Sequence, residues 1–397
     1  MKKEIYLDHN ATTPIDPEVV DAMLPYLREC FGNASSVHGW GQEARYGVEK
    51  ARLQLAALVS CPEENLVFTS CGTESNNTVL RSVARRFQGE GCHIVSSSIE
   101  HPAVYRCLEA MKTEGLADYT LVDPEPCGSL DPQAVAAALR PETRLVSLML
   151  ANNEMGAIQP VAEVVDLAHS RNIEVHSDTV QALGKVPLDL TNVGLDYATF
   201  SAHKIYGPKG IGGIYARDRS KLTPLLQGGG QEGKLRPGTE SVPMIVAFGA
   251  AADLCRRNLE KESAALSSMR NRLQYSLQAE IPSVSVCAED TDRLPGTLCV
   301  CFTGIYGTYA VLELAEEGIA VSSGSACSAN KSEPSHVLLA MGIDPEVAQG
   351  AVRFSLGRAN RPEQIPTVVE KTKRIVERLR SHPPQQEQEF DLLSICD

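Results

Sequence analysis

Short apolar runs alternate with longer amphipathic segments through most of this 397-residue chain, a pattern that predicts an α/β fold with a mainly parallel sheet. The strand candidates are 66–69, 93–98, 145–150, 173–178, 196–201 and 211–216. Helix starts are marked by Asp16-Pro17 and Asp131-Pro132, each a capping acid before a proline at the first helical position. A further helix is predicted from Gly72 to about Phe87, opening at a glycine turn after the first strand candidate. Near residue 260 the texture changes: a charged helix over 259–280 precedes shorter strands and a final helix around 362–380. That change predicts a second, smaller domain. The tail 381–397 is rich in Pro, Gln and acid, a composition that predicts disorder, and Phe390-Asp391-Leu392-Leu393 within it offers a segment for a partner.

Composition narrows the class. Apolar residues at 43% and charged residues at 22% fit a globular protein. A net charge of -13 argues against a nucleic-acid surface or an anionic membrane as the main partner. The opening residues carry acids where an export signal needs an apolar stretch, and the longest charge-free run, 294–312, is interrupted by Pro295, Gly296, Gly304 and Gly307. A cytoplasmic protein with no membrane span is therefore expected. The twelve cysteines show no zinc-like double Cys-x-x-Cys pattern, so no metal site is expected. Cys327 differs from the rest: it lies among small residues, Ser322-Ser323-Gly324-Ser325-Ala326-Cys327-Ser328, a stretch that reads as an exposed loop and makes it a candidate nucleophile.

Candidate chemistry gathers at strand ends. Lys204 follows the 196–201 strand, just before Gly207, Pro208 and Gly210 turn the chain, and Asp178 ends the 173–178 strand. A lone amine and a lone acid so placed can face one cavity, an arrangement that suits pyridoxal phosphate. That coenzyme needs a lysine for its Schiff base and an acid to keep its ring nitrogen protonated. The plainer alternative is a surface lysine beside a turn and a capping aspartate. Gly72 and Thr73, at the predicted helix N-terminus, offer amides and a hydroxyl to a phosphate, or simply a capped helix. Thr239, in a glycine-rich loop, is a second phosphate candidate. His101 follows the 93–98 strand, where it can stack on a ring or cap a helix. Asn153 follows the 145–150 strand and supplies an amide donor.

Taken together and in order, the segments 68–77, 100–104, 152–156, 176–181, 201–210, 227–240, 322–328 and 353–358 resemble the cysteine desulfurases of the NifS/IscS type, within the fold-type I, aminotransferase class V enzymes. The likeness runs from Tyr6 to about Leu379. It implies a large coenzyme domain over 15–258 with a mainly parallel seven-stranded sheet. It also implies a smaller α+β domain from 1–14 and 259–380 that carries the 322–334 loop. It implies pyridoxal 5'-phosphate on Lys204, with Asp178 at the pyridine nitrogen, His101 stacked on the ring, and Asn153 and Gln181 at the phenolic oxygen. Gly72, Thr73, Ser201 and His203 resemble phosphate ligands, joined by Thr239 from a neighbouring subunit in a homodimer. Arg353 resembles the clamp for the substrate carboxylate, with Asn153 beside it, and Cys327 the sulfur-accepting nucleophile.

The implied activity is removal of sulfur from L-cysteine, giving L-alanine and a Cys327 persulfide that passes to an acceptor or scaffold protein, as in iron-sulfur cluster assembly. Selenocysteine lyase is the nearest alternative activity, with a sulfur-delivery scaffold and an ordinary class V aminotransferase further off. Thr179, Lys234 and Pro237 depart from the family pattern without vacating any of these roles.

Overall fold

The computed structural model describes residues 4–323 and 334–382. Its thirteen strands are β1 (Ile5–Tyr6), β2 (Leu66–Thr69), β3 (His93–Ser97), β4 (Asp118–Val122), β5 (Thr143–Ser147), β6 (Glu174–Asp178), β7 (Tyr197–Ser201), β8 (Gly212–Ala216), β9 (Val284–Val286), β10 (Thr297–Phe302), β11 (Ile319–Ala320), β12 (Ser322–Ser323) and β13 (Ala351–Ser355). Seven of them form the main sheet in the order β2-β8-β7-β6-β5-β3-β4. Only β8 runs against the others, pairing antiparallel with β2 and β7. All six predicted strands are present with ends shifted by no more than three residues, and the sheet is mainly parallel as expected.

β4 was not predicted. It lies on the sheet edge, its residues are mostly half-buried or exposed, and edge positions carry little of the apolar signal that marks a central strand. β3, β6, β7 and β8 are by contrast buried along almost their whole length, because helices cover both faces of a parallel sheet and leave no solvated side.

A second, four-stranded antiparallel sheet runs β12-β13-β10-β9, and β1 pairs in parallel with β11 beside it. Ile5 and Leu7, at the start of the chain, pack into the same apolar core as Leu298, Val300 and Phe354 of this second sheet. The helix expected over 259–280 begins much earlier, at Val242, and continues unbroken to Glu280. Its first half lies in the core of the main sheet through Val242, Ile245, Phe248 and Ala252, and its last turns lie in the other core through Met269, Leu273 and Leu277. Its opening residues, 242–252, are apolar, and Gly249 is small because the helix lies close against the helix Gly39–Val59: a Cβ at Gly249 would come within 2.4 Å of Ala51 Cα. Such a segment has no polar face and so lacks the amphipathic period that a surface helix shows.

Because β2, β3, β5, β6 and β7 share one direction, their carboxyl ends open on one edge of the sheet. Ligands bind at that edge in α/β folds.

Candidate active site

Along this edge lies a cavity of about 400 Å³, within the range of small-molecule sites. At one end the helix Gly72–Arg86 begins directly after β2, and its first intrahelical bond runs from Ser75 N to Cys71 O, 3.1 Å. The amides of Gly72 and Thr73 precede that bond, so they point out of the helix with the positive end of its dipole. Ser201, the last residue of β7, sits alongside: a Cβ on Gly72 would lie 3.7 Å from Ser201 Cβ and 3.0 Å from Val180 Cγ2. His203 also lines the cavity, with Nδ1 3.2 Å from Thr12 Oγ1. Burial, then the charge of Lys204, pushes the His203 imidazole down to about 4.

Asp178 ends β6 in the cavity wall, and both of its oxygens are held. Oδ1 accepts from Val180 N at 3.0 Å and Oδ2 from Asn76 Nδ2 at 2.7 Å. Asn76 is in turn fixed by the Thr199 hydroxyl, which donates to its Oδ1 at 2.6 Å. His101 caps the helix Pro102–Thr113, with Nδ1 accepting from Ala103 N at 3.1 Å. The capping alternative for this residue is therefore real, and it coexists with a place in the cavity wall. Burial lowers the His101 imidazole and Lys204 adds to this, against an opposite pull from Asp178, so the ring is neutral at neutral pH.

Lys204 stands at the other side, in the turn after β7. Its Nζ donates to two main-chain oxygens of the N-terminal segment, Asn10 O at 2.6 Å and Ala11 O at 2.7 Å. Gln181 donates to the same Asn10 oxygen at 3.0 Å. Arg353, in the middle of β13, reaches across from the second sheet and is almost fully buried. Its Nη1 donates to Asn153 O at 3.0 Å and its Nη2 to the Asp8 carboxylate at 2.7 Å, while Nε has no partner among the described residues. Asn153 lines the cavity next to it.

Ten of the twelve expected site residues thus share one cavity. The other two differ in kind. Thr239 is exposed and does not line the cavity of its own chain. Cys327 and the rest of 324–333 lie outside the described residues, as does the tail 383–397.

Several contributors were not anticipated. Asn10 links three site residues, accepting from Lys204 and Gln181 through its main-chain oxygen and donating from Nδ2 to Asn153 O at 3.1 Å, but the polar run Asp8-His9-Asn10 far upstream carries no local signal of this. Asn76 was legible in principle, as a polar residue on the inward face of a helix's first turns. Among the described residues no helix is long and apolar enough to cross a membrane, and no cluster of ligating side chains suited to a metal is present.

Residues 5–368 match the model of the family described as aminotransferase class-V. The chain belongs to that family. Among its relatives, the protein named cysteine desulfurase IscS from Dictyoglomus turgidum (strain DSM 6724 / Z-1310) is 39% identical over 98% of both chains. A solved NifS-like protein superposes with a TM-score of 0.89 at 36% identity, over 95% of this chain and 100% of the other. Another, described as SspA in complex with cysteine, does so with a TM-score of 0.79 at 32% identity, over 89% and 98%.

Class V enzymes of the NifS/IscS kind depend on pyridoxal phosphate, and this cavity fits it. A phosphate requires the free amides at Gly72 and Thr73 and the hydroxyl of Ser201. A protonated ring nitrogen requires a carboxylate opposite it, and Asp178 stands in the cavity wall with both oxygens fixed by donors. An aldehyde requires a lysine amine, and Lys204 supplies one. The closeness of Val180 to Gly72 leaves no space there for a side chain, which keeps the phosphate end open to backbone.

Proposed function

We propose that this protein is a cysteine desulfurase, which takes sulfur from L-cysteine and leaves L-alanine and a persulfide on Cys327. The carrying observation is that Lys204 and Asp178 open on the same cavity, with a helix N-terminus at its end and Arg353 entering from the second sheet. The full-length likeness to a protein named cysteine desulfurase IscS supports the same reading.

In this reading Gly72, Thr73, Ser201 and His203 bind the coenzyme phosphate, Asp178 holds a proton on its ring nitrogen, and Asn153 and Gln181 donate to its phenolic oxygen. When bound, pyridoxal phosphate supplies a ring that accepts the electron pair left as the substrate's Cα proton departs. Lys204 carries the coenzyme between turnovers and takes that proton once its amine is released. Arg353 and Asn153 hold the substrate carboxylate, which orients the Cα–H bond. His101, neutral and capped, stacks on the ring and passes protons through Nε2. The Cys327 thiolate attacks the substrate sulfur; the new S–S bond forms as the C–S bond breaks, with its electrons left on carbon. A proton added to that carbon, Cβ, and the return of the Cα proton from Lys204 complete L-alanine, and the persulfide passes to an acceptor protein, as in iron-sulfur cluster assembly.

We assign 15–258 to a coenzyme domain, and 1–14 with 259–380 to a smaller domain that carries the Cys327 loop. The working form is a cytoplasmic homodimer in which Thr239 reaches the partner's phosphate site. Support comes from the exposure of Thr239 away from its own cavity, from the exposed Val37, Trp40 and Tyr46, and from the free cysteines among the described residues.

The test is a comparison of Cys327→Ala, Lys204→Ala and the parent protein, each purified with pyridoxal phosphate. Cys327→Ala should keep the visible coenzyme band and lose sulfide and alanine production from L-cysteine; Lys204→Ala should lose both. Full sulfide release by Cys327→Ala would overturn the nucleophile assignment. Faster turnover of L-selenocysteine than of L-cysteine by the parent would shift the reading to a selenocysteine lyase.

A further inference from the structure

Beside the site stands a second lysine to which none of these steps gives a task. Lys185 follows Gly184, whose φ of +64° and crowding against Cys255, where a Cβ would meet Cβ and Sγ at 3.0 Å, admit only glycine. The turn brings the Lys185 amine back over Gln181, four residues earlier. Its Nζ donates to Gln181 Oε1 at 2.6 Å and to Asn10 Oδ1 at 3.2 Å. Both partners are neutral amides, and among the described residues Lys185 forms no ion pair.

An amide side chain has one accepting and one donating end, and which way it faces follows from its partners. With Oε1 taken by an ammonium, the donating end of Gln181 is committed to the other side. One of its N–H groups goes to Asn10 O at 3.0 Å, and the second is left for the cavity that Gln181 lines.

We propose that Lys185 is a positioning residue for the coenzyme: through Gln181 it holds an N–H donor toward the phenolic oxygen. The inference rests on the pyridoxal phosphate reading above and adds to it a residue that does not itself touch the coenzyme. The groups around the amine sharpen its effect. Lys204 follows β7, Arg353 lies on β13, His9 lies in the N-terminal segment and His203 precedes Lys204, while Cys255 faces it from the long helix. Glu262, across the small cavity behind Lys185, is taken by Arg358 at 2.7 Å. Burial, then Lys204 and Arg353, brings the Lys185 amine down to about 7. The amine is therefore protonated below about pH 7 and neutral above it, and in either form it keeps an N–H to donate to Gln181 Oε1.

The test uses the holoprotein and two readouts that do not depend on turnover. These are the pH midpoint of the visible coenzyme band, and the affinity of the stripped protein for pyridoxal phosphate. Removing a nearby cation and a fixed donor to the phenolic oxygen favours the protonated coenzyme. Lys185→Met should therefore raise the midpoint by roughly one pH unit and weaken coenzyme binding on the order of tenfold. Lys185→Arg should restore much of both. Gln181→Leu should reproduce the shift, and the double variant should be no worse than Gln181→Leu alone, since the two residues act in series.

An unchanged midpoint in Lys185→Met, an arginine variant as displaced as the methionine one, or additive effects in the double variant would each overturn the inference. Should Lys185→Met fail to fold, the arginine and Gln181→Leu comparisons still decide it. Absence of any visible band from the parent protein would instead strike the coenzyme reading itself, and this inference with it.

Discussion

Asn76 Nδ2 lies 2.7 Å from Asp178 Oδ2, and both side chains are buried. The Thr199 hydroxyl closes the chain by donating to Asn76 Oδ1, so the amide can face Asp178 only with its donating end. A carboxylate held this way has a fixed place and orientation in the cavity wall, which is what a pyridine nitrogen needs opposite it.

Replacing Asn76 by Ala removes that donor and leaves Thr199 without its acceptor. We expect coenzyme affinity to fall on the order of tenfold, from the loss of one charge-assisted hydrogen bond. Equilibrium titration of the stripped variant with pyridoxal phosphate measures it. An affinity equal to the parent's would show that the Val180 amide alone suffices to hold Asp178.

Arg353 offers a second check, because two of its donors are already occupied by Asp8 and Asn153. A planar guanidinium can keep these and still present Nε; an ammonium cannot. Arg353→Lys should raise KM for L-cysteine at least about tenfold while the visible coenzyme band persists. Asp8→Asn should raise KM less, since it loosens the guanidinium without removing it. Steady-state kinetics on the two variants separate these outcomes, and an unchanged KM in Arg353→Lys would remove Arg353 from substrate binding.

Glu100 predicts a pH dependence of stability. Its Oε1 accepts from Ser97 Oγ at 2.6 Å and Met149 N at 2.8 Å, yet burial dominates and pushes the carboxyl from 4.5 up to about 8. The folded chain therefore binds this proton more tightly than the unfolded chain does. The stability it contributes is present below about pH 4.5 and is lost as pH rises through about 8. Glu154, pushed up to about 7 by burial, acts in the same direction. Thermal melting of Glu100→Gln across this range should show a flatter decline toward alkaline pH than the parent. Parallel curves would mean that Glu100 is ionised throughout.

Glu232 anchors the loop that leads to Thr239. Its carboxylate accepts from Arg52 Nη2 at 2.7 Å, Arg52 Nη1 at 3.0 Å and Phe68 N at 2.8 Å. Glu232→Ala takes away the buried partner of Arg52 and leaves it only the exposed Glu49 at 3.1 Å and Leu66 O at 3.0 Å, so the loss should approach, without exceeding, the cost of about 3–5 kcal/mol typical of a broken buried pair. Urea denaturation of the holoprotein measures that loss. The double variant with Arg52→Met should recover part of it, because the stranded charge is then gone.

Much of this protein was legible in its residues alone. Buried parallel strands are continuous apolar runs, and turns after them need Gly or Pro, so β2, β3, β6, β7 and β8 and the residues at their ends were readable locally. That was enough to name Lys204, Asp178, His101 and the Gly72 helix start, and the ordered segments supplied the family. Local pattern failed where the surroundings decide. β4 is an exposed edge, and residues 242–252 at the start of the helix Val242–Glu280 are apolar on every side because they pack into the main core.

Tertiary structure alone brought Asn10 to Lys204 and Gln181 and Asp8 to Arg353, across separations of well over a hundred residues, and aimed the Lys185 amine at Gln181. Hydrogen-bond partners of this kind depend on where the folded backbone places a carbonyl or an amide N–H, and every residue but proline has both. The types of side chain that do chemistry are written in the sequence; the atoms that hold them in position are mostly main chain, and only the fold distinguishes one of those from another.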